Sequence, residues 1–276
     1  LSVAAARPTP SSDRIEFLDV LRGVALFGIL LVNLPFLGLP LSEAGDAPSL
    51  WAAGGAIGET GDGSGAWTAA LIRALAENKF MGLFSLLFGM GLALQVDRAE
   101  ARGVNPRSFY PRRLTVLAAF GVLNGVCVFF GDILLPYAVA GTLLFLLRRC
   151  SPRTMLWIAG AFLAVGVTLS VLFEGIYVDG SSGSDGERAL DQALAEGTFL
   201  QGSAARGQVY VLWLFLSSII AFNWRIMALF LVGAALLRRG WANPEARHLH
   251  QRLAVIGLAV GLTMEGASLL LHGRGD

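Results

Sequence analysis

Seven apolar runs dominate the chain and leave few folds open to it. They are Phe17–Leu37, Lys79–Val96, Leu114–Phe130, Ile133–Leu147, Met155–Phe173, Val209–Leu237 and Leu253–Leu271. A bilayer core about 30 Å thick is crossed by about 20 mostly apolar residues in a helix. The fourth run is short and the sixth long against that length. One such run could be a helix buried in a large soluble protein; seven in 276 residues point to lipid as the solvent. Composition agrees, with 55% hydrophobic and only 15% charged residues and a mean hydropathy of +0.63, where soluble domains carry about 25% charged residues. The predicted fold is all-α, a polytopic transmembrane helix bundle of about seven spans over residues 17–271.

The linkers predict orientation through the excess of Arg and Lys on cytoplasmic loops. Segments 1–16, 97–113, 148–153 and 238–252 hold 2, 5, 3 and 4 arginines, or 14 of the 21 basic residues. Between them, 38–66 holds Glu43, Asp46, Glu59 and Asp62 with no basic residue. Segment 174–208 holds six acidic residues against Arg188 and Arg206. The alternation puts 1–16 in the cytoplasm as an N-terminal tail, with 38–66, 174–208 and the tail 272–276 outside. Asp19 and Arg22 interrupt the first run and further runs follow it, which reads against a cleaved signal peptide. Within the outer segments, Trp67–Asn78 has the pattern of a surface amphipathic helix. ERALDQALAEG, after Asp185, reads as a short polar helix.

The partner this predicts is the lipid bilayer. A formal charge of +1 provides no basic field for nucleic acid. Cys127 and Cys150 are not a disulfide scaffold, and His248-x-His250 reads as a solvated turn rather than a metal pair. No metal site and no covalently held cofactor is expected.

An ionisable residue in a span is costly and marks a functional hypothesis. Asp19 and Arg22, three residues apart on one helical face, suit a structural ion pair. Arg22 also suits an anion, because its planar fork of donors matches phosphate. Asn33, eleven residues on, fits either interhelical hydrogen bonding or a site amide. Lys79, the one lysine, suits the outer interface. Ser85, Gly89 and Ala93 form a small-residue ladder that admits a close helix, and Gly121 with Gly125, and Gly257 with Gly261, repeat it. Asp132 suits either a cap on the fourth helix or a carboxylate at the mouth of an outer cavity, with Asn124 directed to the same region. Arg225 and Glu265 lie inside the sixth and seventh runs, Arg225 near the middle of its own. They read as an ion pair or as the lining of a polar path.

Three motifs carry a resemblance. Arg14-x-x-x-Leu18-Asp19-x-Leu21-Arg22-Gly23-x-Ala25-Leu26-x-Gly28-Ile29-Leu30-x-x-Asn33 resembles the opening of the YeiB family of uncharacterised bacterial inner-membrane proteins. Lys79-Phe80-x-x-Leu83-Phe84-Ser85-x-Leu87-Phe88-Gly89 and Gly131-Asp132-Ile133-Leu134-x-x-Tyr137 resemble its second and third signatures. Members of that family are usually longer, with a C-terminal domain of unknown function, so a truncated chain is expected here.

The Leu-Asp-x-Leu-Arg-Gly opening is also similar to membrane acyltransferases, both bacterial polysaccharide O-acyltransferases and the lysosomal heparan glucosamine acetyltransferase. That resemblance implies transfer of an acyl group from cytoplasmic acyl-CoA, the donor substrate, to an external small-molecule or glycan acceptor. It implies that Arg22 meets the donor's phosphates; from their positions in or beside the apolar runs, Asn33, Asn124 and Arg225 are further substrate-binding candidates. The O-acyltransferases carry His where this chain has Asn33, and many YeiB-like proteins carry His where it has Asn124. Asn cannot take a proton at neutral pH, so either Asp132 or Glu265 serves as the base or the protein transfers no acyl group. The alternative is a transporter or export component that uses Arg225 and Glu265 in a polar intramembrane path.

Overall fold

The computed structural model describes residues 16–38, 79–177, 191–219 and 222–241, with the isolated positions 248, 251, 252, 255 and 257. The described residues are helical, with no strand among them. The helices are α1 (Glu16–Gly38), α2 (Lys79–Ala101), α3 (Tyr110–Cys127), α4 (Leu134–Leu146), α5 (Pro152–Tyr177), α6 (Phe199–Ile219) and α7 (Phe222–Arg238). The amphipathic segment 67–78, Glu265 and nearly all of the seventh apolar run lie outside the described residues.

α7 is the centre of the bundle and packs against α2, α4, α5 and α6. Every residue of α7 is buried or half-buried, with Ile226, Ala228, Phe230, Leu231, Gly233, Ala234 and Ala235 buried, the signature of a helix surrounded by others. Small residues let its backbone meet that of α2. A Cβ at Gly89 would stand 2.5 Å from the Phe230 Cα, and one at Gly233 would collide with the Leu86 carbonyl oxygen. Gly89, the middle member of the predicted ladder on α2, therefore serves this contact.

The outer surface of the bundle is apolar. Phe17, Val20, Phe27, Phe120, Leu123, Leu172 and Phe215 are exposed, and Trp157 is 82% exposed. A soluble monomer rarely exposes so many large apolar side chains, and this supports a helical membrane protein. Among the described residues two helices are long and apolar enough to cross a membrane, Lys79–Ala101 and the 152–169 stretch of α5. A third is counted if α6 and α7 form one bent span. α4, with 13 residues, extends only about 20 Å.

Two expectations about boundaries are corrected. The sixth run, Val209–Leu237, is not one helix but two, bent by 65° at a break between α6 and α7. Side chains at the break take over helix hydrogen bonding. Ser217 and Ser218 donate to the Leu214 carbonyl at 3.1 and 2.7 Å, a bond known to bend helices. The Trp224 indole N–H occupies the Ser218 carbonyl at 2.8 Å, which in a continuous helix would accept the amide of residue 222. Asn223 Nδ2 ties the two sides together by donating to Ser218 Oγ at 2.9 Å. The second correction concerns 174–208, expected to be an outer loop. α5 continues to Tyr177 and α6 already begins at Phe199, while residues 191–195 are helical within the short polar helix expected there.

One end of the bundle gathers ions from three linkers expected to be basic. Arg238 Nη2 and Nε meet the two Asp97 carboxylate oxygens at 2.8 and 3.2 Å, and Nη1 donates to the Arg148 carbonyl at 2.6 Å. Arg148 in turn lies 3.4 Å from Glu100. A lysine at 238 could not make the forked contact. Arg238→Lys should cost about 1 kcal/mol, the size of a partly exposed pair. A double-mutant cycle with Asp97→Asn, read by thermal unfolding in detergent, should show coupling of that order.

Candidate functional site

The turn between α3 and α4 brings a carboxylate, an amide and a phenol together. α3 ends at Cys127 and α4 begins at Leu134, so Asp132 stands just before the α4 N-terminus, where amides are unpaired. Its Oδ2 accepts the Leu134 and Leu135 amides at 2.9 and 3.3 Å. Its Oδ1 accepts Asn124 Nδ2 at 2.8 Å. Asp132 thus acts as a cap on α4 and, as expected, meets Asn124. Asp132 is 3% exposed. Burial pushes its carboxyl above the ordinary aspartate range, against the hydrogen bonds from Asn124, Leu135 and Leu134, which lower it. A buried carboxyl tuned upwards is a candidate acid–base group.

Two small residues make this geometry fit. A Cβ at Gly121 would stand 2.6 Å from the Leu135 amide nitrogen and 2.9 Å from Asp132 Oδ2. One turn further along α3, a Cβ at Gly125 would stand 2.5 Å from Tyr210 Cζ of α6. Tyr210 was not singled out from the sequence, where it is one aromatic residue in an apolar run. Asp132 acts on it electrostatically.

A second polar pair lies inside the bundle. Ser85 Oγ and Tyr137 Oη are 2.7 Å apart, and both residues are buried. Phe84, Phe88 and Phe230 surround the Tyr137 ring with centroids 5.7, 5.2 and 5.1 Å away. The Lys79–Gly89 and Gly131–Tyr137 motifs, 52 residues apart at this contact, therefore meet directly. Ser85 looked like a packing residue in the sequence; its hydroxyl is the hydrogen-bond partner of a buried tyrosine.

Arg22 reaches from α1 onto α2. Its Nη1 lies 2.8 Å from Asp19 Oδ1, and its Nη2 donates to the Leu87 carbonyl at 3.2 Å. The guanidinium rests where Gly91 has no side chain. Arg22→Lys should lose the bridge to Leu87 and cost about 1 kcal/mol or less, as the pair is largely exposed. Thermal unfolding would read that change. If the swap also abolishes acyl-CoA binding, Arg22 holds an anion in addition.

Arg225 does not lie in the middle of a continuous span. The break puts it in the first turn of α7, with its guanidinium carbon 5.9 Å from the Phe222 ring centroid. It is half-buried and within electrostatic reach of Tyr137. Asn33 is half-buried on α1. The expected pairing of Arg225 with Glu265 involves a residue outside the described ones.

The fold and these contacts define a helical membrane protein with buried polar sites. In comparison with known proteins, the chain is 29% identical over 97% of its length to the uncharacterized protein YxaH of Bacillus subtilis (strain 168). It is 31% identical over 96% of its length to the uncharacterized protein YeiB of Escherichia coli (strain K12). These homologues support assignment to a YeiB-like family and point to a bacterial membrane. The chain spans 68% and 66% of the lengths of these two relatives. No protein-family model and no solved structure matches it.

Proposed function

We propose that the protein is a multi-pass protein of the bacterial inner membrane, with a cytoplasmic N-terminus, that transfers an acyl group from cytoplasmic acyl-CoA to an external acceptor. The observation that carries this reading is the Asn124–Asp132 hydrogen bond. The resemblance puts His at the Asn124 position in many YeiB-like proteins, and a His there would lie beside a carboxylate, the arrangement of a base with its orienting partner. With Asn at 124, Asp132 itself takes the proton. The acceptor's hydroxyl or amine gives its proton to Asp132 as its oxygen or nitrogen bonds to the acyl carbon. The thioester C–S bond breaks and coenzyme A leaves as its thiolate. Arg22, at the cytoplasmic end of α1, is assigned to the donor's phosphates.

The test is acyl-CoA-dependent labelling of an acceptor by the protein in proteoliposomes. Transfer that requires acyl-CoA on the side of Arg107 and Arg149, with acceptor on the other, supports the reading. Labelling that is independent of the protein ends it. A second reading, transport or export of an anionic small molecule, is favoured by the break between α6 and α7. Broken helices whose half-helix N-termini point at an anionic substrate are a transporter device, and Arg225 stands in the first turn of the half-helix that starts after this break. Protein-dependent flux of an anion without covalent labelling would favour it.

A further inference from the structure

Tyr210 is 2% exposed, and its hydroxyl has no hydrogen-bond partner among the described residues. Buried hydroxyls are nearly always satisfied, and an exception calls for a cause. Packing alone is not that cause, because phenylalanine would fill the same space without burying an oxygen. The neighbouring cation does not supply it, since Arg206 donates to the Val126 carbonyl and to Ser203 Oγ, both at 3.4 Å.

The hydroxyl's position suggests its use. The end of the phenol ring lies on Gly125, and the Asp132 carboxylate lies against Gly121, one turn away on the same stripe of α3. Asn124, between the two glycines, gives one of its two Nδ2 hydrogens to Asp132. Carboxylate, amide and phenol therefore share one short, glycine-floored stretch of helix. Of the three, the phenol hydroxyl is the group with no hydrogen bond among the described residues.

We infer that the Tyr210 hydroxyl is a substrate-contacting group of the Asp132 site, donating a hydrogen bond to the acyl carbonyl oxygen of the donor. The inference rests on the acyl-transfer reading and adds what that reading lacks, a donor for the negative charge that develops on this oxygen as the acceptor attacks. Removing one such donor typically costs about 10²–10³ in rate.

The experiment compares wild type, Tyr210→Phe and Asp132→Asn as full chains in proteoliposomes, using acetyl-CoA and palmitoyl-CoA labelled in the acyl group. Tyr210→Phe should lower kcat for labelling about 100-fold with little change in KM. Its thermal midpoint should stay level or rise, because the lost hydroxyl had no partner to lose. Gly125→Ala, which displaces the ring, should reproduce the kinetic loss. Full labelling by Tyr210→Phe overturns the inference, as does a loss matched by a lower thermal midpoint. In both cases a dead Asp132→Asn leaves the acyl-transfer reading standing. A wild type that labels nothing with either donor overturns the reading and the inference together.

Discussion

Gly233→Ala should destabilise the protein by about 3 kcal/mol, an overpacking cost at the upper end of its usual range. The added methyl group would collide with the Leu86 carbonyl oxygen and stand 3.1 Å from the Met90 amide nitrogen. Both are backbone atoms of α2, and a backbone cannot turn aside as a side-chain end can. α7 is in contact with four other helices, so shifting it disturbs the whole bundle. Gly160→Ala on α5 is the matched control. Nothing lies within 4 Å of its added Cβ, and alanine in a helix is favoured over glycine by up to about 1 kcal/mol. The same change should therefore have opposite signs at the two sites, as measured by thermal unfolding in detergent. Equal effects would mean that α2 and α7 are not in backbone contact.

Asp132→Asn should reduce acyl labelling by about 10²–10⁴, the contribution of a general base, while leaving an oxygen to accept the α4 amides. Asp132→Ala should add a stability loss of about 1 kcal/mol, because it removes the cap as well. In the wild type, the acid limb of the pH–rate profile should lie above the ordinary aspartate value of about 3.9, since the base must be ionised and burial raises its pKa. Stability should run the other way. A carboxyl whose pKa is higher folded than unfolded holds its proton more tightly when folded. Its contribution is present in full below the unfolded value and is lost as pH rises through the folded one. An acid limb at the ordinary aspartate value, or one unchanged in Asp132→Asn, would remove Asp132 from the chemistry.

Several of these groups are legible one at a time in the chain. Asp132 follows a glycine just before an apolar run, which marks a helix cap, and Asn124 lies two turns earlier on α3. Asp19 and Arg22 are neighbours by helical spacing alone. The break at Ser217–Asn223 was less legible. Its polar residues, Ser217, Ser218 and Asn223, are small or amide side chains that barely interrupt the hydropathy of the run. They act through hydrogen bonds to Leu214 and to each other. Arg225 consequently looked central to one long span when it belongs to the first turn of α7. Tyr210 offered no signal, because its role depends on a glycine more than 80 residues away.

The helices, apart from the α6–α7 break, and the apolar surface they present follow from the amino-acid sequence. Hydrophobicity and helical periodicity are local properties, set by residues within a turn or two of each other. The sequence also determined that small residues on α2 would admit a close neighbour. The tertiary structure alone decided that this neighbour is α7, that Arg22 ends on the Leu87 carbonyl, that Ser85 meets Tyr137, and that Tyr210 covers Gly125 beside Asp132. Each of those contacts depends on which faces of distant helices come together. Apolar faces are nearly interchangeable in hydropathy, and close packing with hydrogen-bond satisfaction selects among them only once the helices are assembled.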